Sequence, residues 1–71
     1  MKPFNNVHEY CAWVNNKWNE LKADGYWSGG WDIKTNLVEV WEGKDFYNGK
    51  QVGWVDFGTW KMPKFEMAWL N

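Results

Sequence analysis

The chain is predicted to be an α+β domain, with one N-terminal helix packed on an antiparallel β-meander of three to five strands. Three observations predict this. Val7, Cys11, Val14, Trp18 and Leu21 recur at spacings of four, three, four and three, the period of a helix with one apolar face. After Gly25 the pattern changes to alternating aromatic and β-branched residues with polar ones, the period of a strand. Asn48-Gly49 sits between two such runs, and Asn-Gly is the strongest short-range hairpin signal.

The helix starts after a short lead, Met1 to Phe4, in which Pro3 disfavours helix at Lys2. Asn5 or Asn6 serves as N-cap, and with Asn6 as cap Glu9 falls at N3 and completes a weak capping box. The helix runs to about Ala23, where Asp24-Gly25 stops it with Gly25 as a left-handed C′ residue. Its apolar residues fall in a stripe about 80° wide, bordered by Tyr10. Trp13 lies about 120° from the stripe's centre. Two readings stay open for it: an edge cover folded over Tyr10 and Lys17, or an exposed aromatic that contacts a partner.

Beyond the helix, Tyr26-Trp27 and Trp31 flank a Ser28-Gly29-Gly30 turn. Residues 31–34 alternate as a half-buried strand, and Thr35-Asn36 offers a second tight turn. Leu37 to Trp41 forms the next strand, and Glu42-Gly43-Lys44 bends it or adds a bulge before Phe46. A type I′ turn at Asn48-Gly49 would set Tyr47 opposite Lys50, Phe46 opposite Gln51 and Asp45 opposite Val52. Gln51 to Phe57 returns, with Gly53 marking a bulge or a close approach. Gly58-Thr59 turns again, and Trp60 to Met62 continues extended. Pro63 cannot donate to a ladder, so this strand is an edge or is interrupted there. Residues 63–70 read as strand, with a short helix from Pro63 as the competing reading.

Alternation sorts these strands into two faces. A smooth set, Val38, Val40, Phe46, Val55 and Phe57, is expected to meet the helix. A mixed set, Leu37, Glu39, Trp41, Tyr47, Trp54 and Asp56, combines rings with carboxylates on the opposite side. A bulge at Gly43 or Gly53 would exchange sides downstream. One helix covers one sheet face, so the mixed set is the candidate exposed patch. Trp41, Tyr47, Trp54, Glu39 and Asp56, with Trp13, are the candidate partner-binding residues.

Seventy-one residues make a single domain, residues 1–71, and a chain this short buries only roughly 60% of its unfolded surface. One cysteine forms no internal disulfide, and one cysteine with one histidine builds no structural zinc site of the usual kind. No cofactor is expected. The core must rest on aromatic bulk, supplied by eight Trp, four Phe and three Tyr, each burying on the order of 150–250 Å². Fifteen such rings exceed what one layer between a helix and a small sheet needs. Some are expected to remain exposed or to be covered by a partner.

Net charge is −1 and all eight basic residues are lysine. The fork that grips phosphate and reads guanine edges is absent, and five acids between Asp32 and Asp56 oppose a basic track. Single-stranded nucleic-acid binding by base stacking is therefore disfavoured. No stretch is long and apolar enough for a membrane span, and residues 1–10 lack the apolar region of a secretory signal. The opening Met1 is expected of a complete small protein, and a cytoplasmic location is the expectation, host cytoplasm if phage-encoded.

The catalytic inventory is thin. His8 and Cys11 are neighbours at i, i+3, but Cys11 lies in the apolar stripe, where a thiol is expected to be buried and inert. Glu39 and Asp56 could form a glycosidase-like carboxylate pair, against which stands a solvated sheet surface whose charges discourage edge pairing. Ser28-Gly29-Gly30 lacks the Lys-Ser/Thr and the helix of a phosphate loop. A non-enzyme is expected. The function class that fits is a small binding protein that engages or inhibits a protein partner through its aromatic sheet face, of the kind phages use against host machinery. A homodimer through the same patch and carbohydrate binding by Trp stacking are the alternatives.

Overall fold

The computed structural model describes residues 2–45 and 47–70. Helix α1 spans Val7–Ala23, and four strands follow: β1 (Tyr26–Asp32), β2 (Leu37–Glu42), β3 (Lys50–Gly58) and β4 (Pro63–Trp69). They form one antiparallel sheet in the order β1-β2-β3-β4. This is the expected helix on a β-meander, with four strands.

Asn6 caps α1: its side-chain oxygen accepts from the Glu9 N–H at 3.0 Å. The Glu9 carboxylate reaches back to the Asn5 N–H at 3.3 Å, one residue before the position a capping box uses. At the other end the Gly25 N–H donates to the Lys22 carbonyl at 3.0 Å, with Gly25 left-handed as expected.

The buried face of α1 differs from the expected stripe. Val14, Trp18 and Leu21 face the sheet, joined by Tyr10 and Trp13. Val7 and Cys11 are exposed. The helix is thus turned by about 50° from the predicted stripe, at 3.6 residues per turn. Burying the rings of Tyr10 and Trp13 removes more apolar area from water than burying Val7 and Cys11.

Strand β1 runs unbroken through Ser28-Gly29-Gly30, where a turn was expected; the register shifts there as a bulge. It ends at Asp32, so residues 33–36 form the turn into β2 and not part of a strand. In that turn the Asp32 carboxylate accepts from the Lys34 N–H at 2.9 Å, and Asn36 takes φ 61°.

The two-residue hairpin at Asn48-Gly49 does not form. β2 and β3 pair through Glu42↔Lys50 and Trp41↔Gln51, and residues 43–49 make a longer loop. Tyr47 and Asp45 therefore lie outside the sheet, and Phe46 lies outside the described residues. Two local features favour this loop over a type I′ turn. Gly43 adopts φ 125°, a left-handed turn out of β2 that brings it against Gly49. The Asp45 carboxylate then accepts from the N–H groups of Tyr47 and Asn48, both at 2.9 Å, the competing turn that aspartate offers its own backbone.

A second register shift, between Val40/Trp41 and Gly53/Gln51, leaves Val52 outside the β2 register and packed against the core, while its carbonyl accepts from the Leu70 N–H at 2.8 Å. This is the bulge Gly53 suggested, and it brings Val52 to the helix side. Residues 59–62 form a turn closed by the Met62 N–H on the Thr59 hydroxyl at 3.0 Å, so the extended run expected there begins only at Pro63. Residues 63–69 are strand, at the sheet edge, as Pro63 requires.

The core is Trp18, Val40, Val55 and Phe57, all on the helix side of the sheet. The Phe57 ring stands 5.9 Å from Trp18, 5.8 Å from Trp13 and 5.6 Å from Phe65. Phe4 closes this aromatic row against Tyr10 and Trp13, and its N–H donates to the Trp60 carbonyl at 2.8 Å.

Candidate functional site

Four of the six predicted site residues share the sheet face that turns away from α1. Glu39 and Trp41 are two residues apart on β2, and Glu39 pairs with Trp54 of β3. Asp56 follows two residues after Trp54. Trp27 of β1, not singled out in the sequence, joins them by pairing with Trp41. The two indoles stack at 5.4 Å with 29° between their planes. This contact was hidden by the turn expected at residues 28–30, which would have taken Trp27 out of the sheet.

Local chemistry fixes each of these groups. The Trp41 indole N–H donates to Glu39 Oε1 at 2.8 Å, and the Gly30 N–H donates to the same oxygen at 3.1 Å. The Trp41 ring lies over Gly29, where a Cβ would collide with the indole, so the ring needs a bare glycine at that point of the bulge. Asp56 accepts from Lys64 Nζ at 2.9 Å and from the Gly58 N–H at 2.8 Å. The Asp56 carboxylate, by hydrogen bond and charge, and Glu66 by charge raise the Lys64 pKa above the usual lysine value. The result is three indoles, Trp27, Trp41 and Trp54, flanked by Glu39 on one side and by Asp56, Lys64 and Glu66 on another; the three rings, Glu39 and Asp56 are half-buried and not the exposed patch expected, because neighbouring side chains on the same face cover part of each.

Tyr47 and Trp13 stand apart from this face. Tyr47 sits in the 43–49 loop, 94% exposed. Trp13 is half-buried on the helix side, packed on Phe4, Tyr10 and Phe57. The loop also folds over one end of the outer face. A Cβ on Gly49 would fall 2.7 Å from the Trp27 ring, and the Trp27 indole N–H is buried with no hydrogen-bond partner among the described residues.

The helix side holds a second feature the sequence did not reveal. α1 leaves part of the sheet uncovered, and an open groove of about 770 Å³ lies between them. Tyr10, Cys11, Val14, Asn15 and Trp18 form its helix wall; Trp31, Val38 and Phe57 form its sheet wall. Cys11 is exposed here and not buried as expected. Trp31, 59% exposed, is held by its indole N–H on Asn36 Oδ1 at 3.3 Å, while Asn36 Nδ2 donates to the Gly58 carbonyl at 3.3 Å. The signal available in the sequence was the pairing of Trp31 with Val38 on the helix side. It required knowing that β1 continues through its glycines.

Among the described residues no group of three or more His, Cys, Asp and Glu side chains is placed to hold a metal ion. Among them, too, no helix is long and apolar enough to cross a membrane. Comparison with family models, curated proteins and solved structures finds no match to this chain.

Proposed function

We propose that the chain is a non-catalytic binding protein that docks on a protein partner through the outer face of its sheet. One observation carries this reading: Trp27, Trp41 and Trp54 stand together on the face opposite α1, with charged side chains around them. An aromatic centre within a polar rim is the make-up of protein interfaces, where Trp is a favoured anchor. Glu39 holds Trp41 in place before any partner arrives, which lowers the ordering cost of association. A protein this small that covers a partner's working surface would act as an inhibitor of it.

Affinity capture from the native cell with wild type, Trp54→Ala and Trp41→Ala tests the proposal. Circular dichroism confirms that each variant is folded. A partner lost by both variants supports the outer face, and a partner retained equally by all three rules it out.

Carbohydrate binding is the second reading. The stacked Trp27 and Trp41 indoles beside the Glu39 carboxylate favour it, since flat rings stack on sugars and carboxylates accept from hydroxyls. Tryptophan fluorescence titrated with polysaccharides separates the two, because a shift with glycan alone would replace the protein partner.

A further inference from the structure

We propose that the helix-side groove is a binding site for a neutral, apolar, ring-containing small molecule, independent of the outer face. The groove exists because one helix, about 10 Å across, lies on four strands spaced about 4.8 Å apart. Turning Tyr10 and Trp13 toward Phe57 leaves Val38 only half-buried and Trp31 exposed on the other flank of α1.

Three properties set the chemistry of the occupant. The first is size: about 770 Å³ lies within the range of about 300–1,000 Å³ typical of small-molecule sites. The second is charge. None of the twelve lining residues is ionic, in a chain that is 24% charged. An ion entering would shed hydration with no countercharge to meet it, whereas a neutral molecule meets no such penalty. The third is shape. Trp31, 59% exposed, and half-buried Tyr10 present ring faces to the groove, and the nearly enclosed Trp18 and Phe57 form its apolar floor. Asn36 bonds both Trp31 and the Gly58 carbonyl, so the outer wall is set in advance.

The test uses Nile red, a neutral ring-containing dye, titrated into the full chain, with Cys11 as a local reporter. Cys11 is the single cysteine and is exposed on the groove wall, so its alkylation by N-ethylmaleimide reads groove occupancy. Saturable 1:1 binding that slows Cys11 alkylation is expected. Asn15→Lys, which puts a charge on an exposed groove position, is expected to weaken the dye at least about tenfold, a change of about 1.4 kcal/mol. Asn15→Ser is expected to leave it intact, and so is Trp54→Ala on the outer face. Absence of saturable binding overturns the proposal. So does binding indifferent to Asn15→Lys, or a dimer by light scattering in which Cys11 is shielded without dye. Because Trp54→Ala is the control, failure here leaves the outer-face reading untouched, and the reverse also holds.

Discussion

The Tyr10 hydroxyl donates to the Gly58 carbonyl oxygen at 3.0 Å, joining α1 to the end of β3 across 48 residues of chain. Tyr10→Phe deletes this bond and keeps the ring, so a loss of about 1 kcal/mol is expected in urea unfolding. The bond needs the protonated phenol. Burial raises the Tyr10 pKa, and electrostatic interaction with Cys11 and with the Asp56 carboxylate adds to it. A raised native pKa leaves the contribution whole below the ordinary tyrosine value of about 10. It fades as pH climbs through the raised value. The wild type should therefore lose stability more steeply than Tyr10→Phe above that pH, and equal slopes would count against this bond.

Val40 is fully enclosed at the centre of the sheet, beneath Trp18. Val40→Ala should cost about 2 kcal/mol, from lost transfer energy and the void left behind. That is a large share of the stability of a small domain, at roughly 0.05–0.15 kcal/mol per residue. A lower urea midpoint at unchanged m-value is the expected signature. A changed m-value would point instead to an altered unfolded state.

The Trp27 indole N–H, buried without a partner among the described residues, makes an unusual prediction. An unpaired donor costs about 1–3 kcal/mol. Trp27→Phe removes that donor while keeping a ring against Trp41, so its effect should stay within about 1 kcal/mol. Trp27→Ala removes the stack as well and should cost about 3 kcal/mol. Similar losses in both variants would show that the N–H does have a partner.

Asp45 organises the 43–49 loop, and its pKa is lowered below the usual aspartate value. The Asn48 backbone N–H is the chief cause, aided by the Asn48 side chain and the Tyr47 N–H. A lowered native pKa gives a contribution present above the ordinary value of about 3.9 and lost as pH falls through the depressed one. The amide resonances of Tyr47 and Asn48 should move with a midpoint below that of an exposed aspartate. Asp45→Asn should leave them without that acid transition.

The helix, its caps and the helix-facing valines were legible because each rests on neighbours in sequence. Asn6 and Glu9 are three residues apart, and Val38 and Val40 follow strand alternation. What escaped depends on groups far apart in the chain. The rotation of α1 is set by where Tyr10 and Trp13 meet Phe57, some 45 residues on. The Asn-Gly signal at 48–49 lost to Gly43 and Asp45 acting together, a competition that a turn dipeptide does not encode. The outer face was half legible: Glu39, Trp41, Trp54 and Asp56 follow alternation, while Trp27 was concealed by glycines that make a bulge instead of a turn.

The order β1-β2-β3-β4 leaves two open borders, and each is spoiled for lateral growth by another chain's backbone. β1 is broken in register at Gly29 and Gly30, while β4 begins with a proline that lacks an N–H and then presents Lys64 and Glu66. Such devices deter fibre-like stacking of strands. The rings above and below the sheet are therefore held on a scaffold whose sides resist zipping onto copies of the chain.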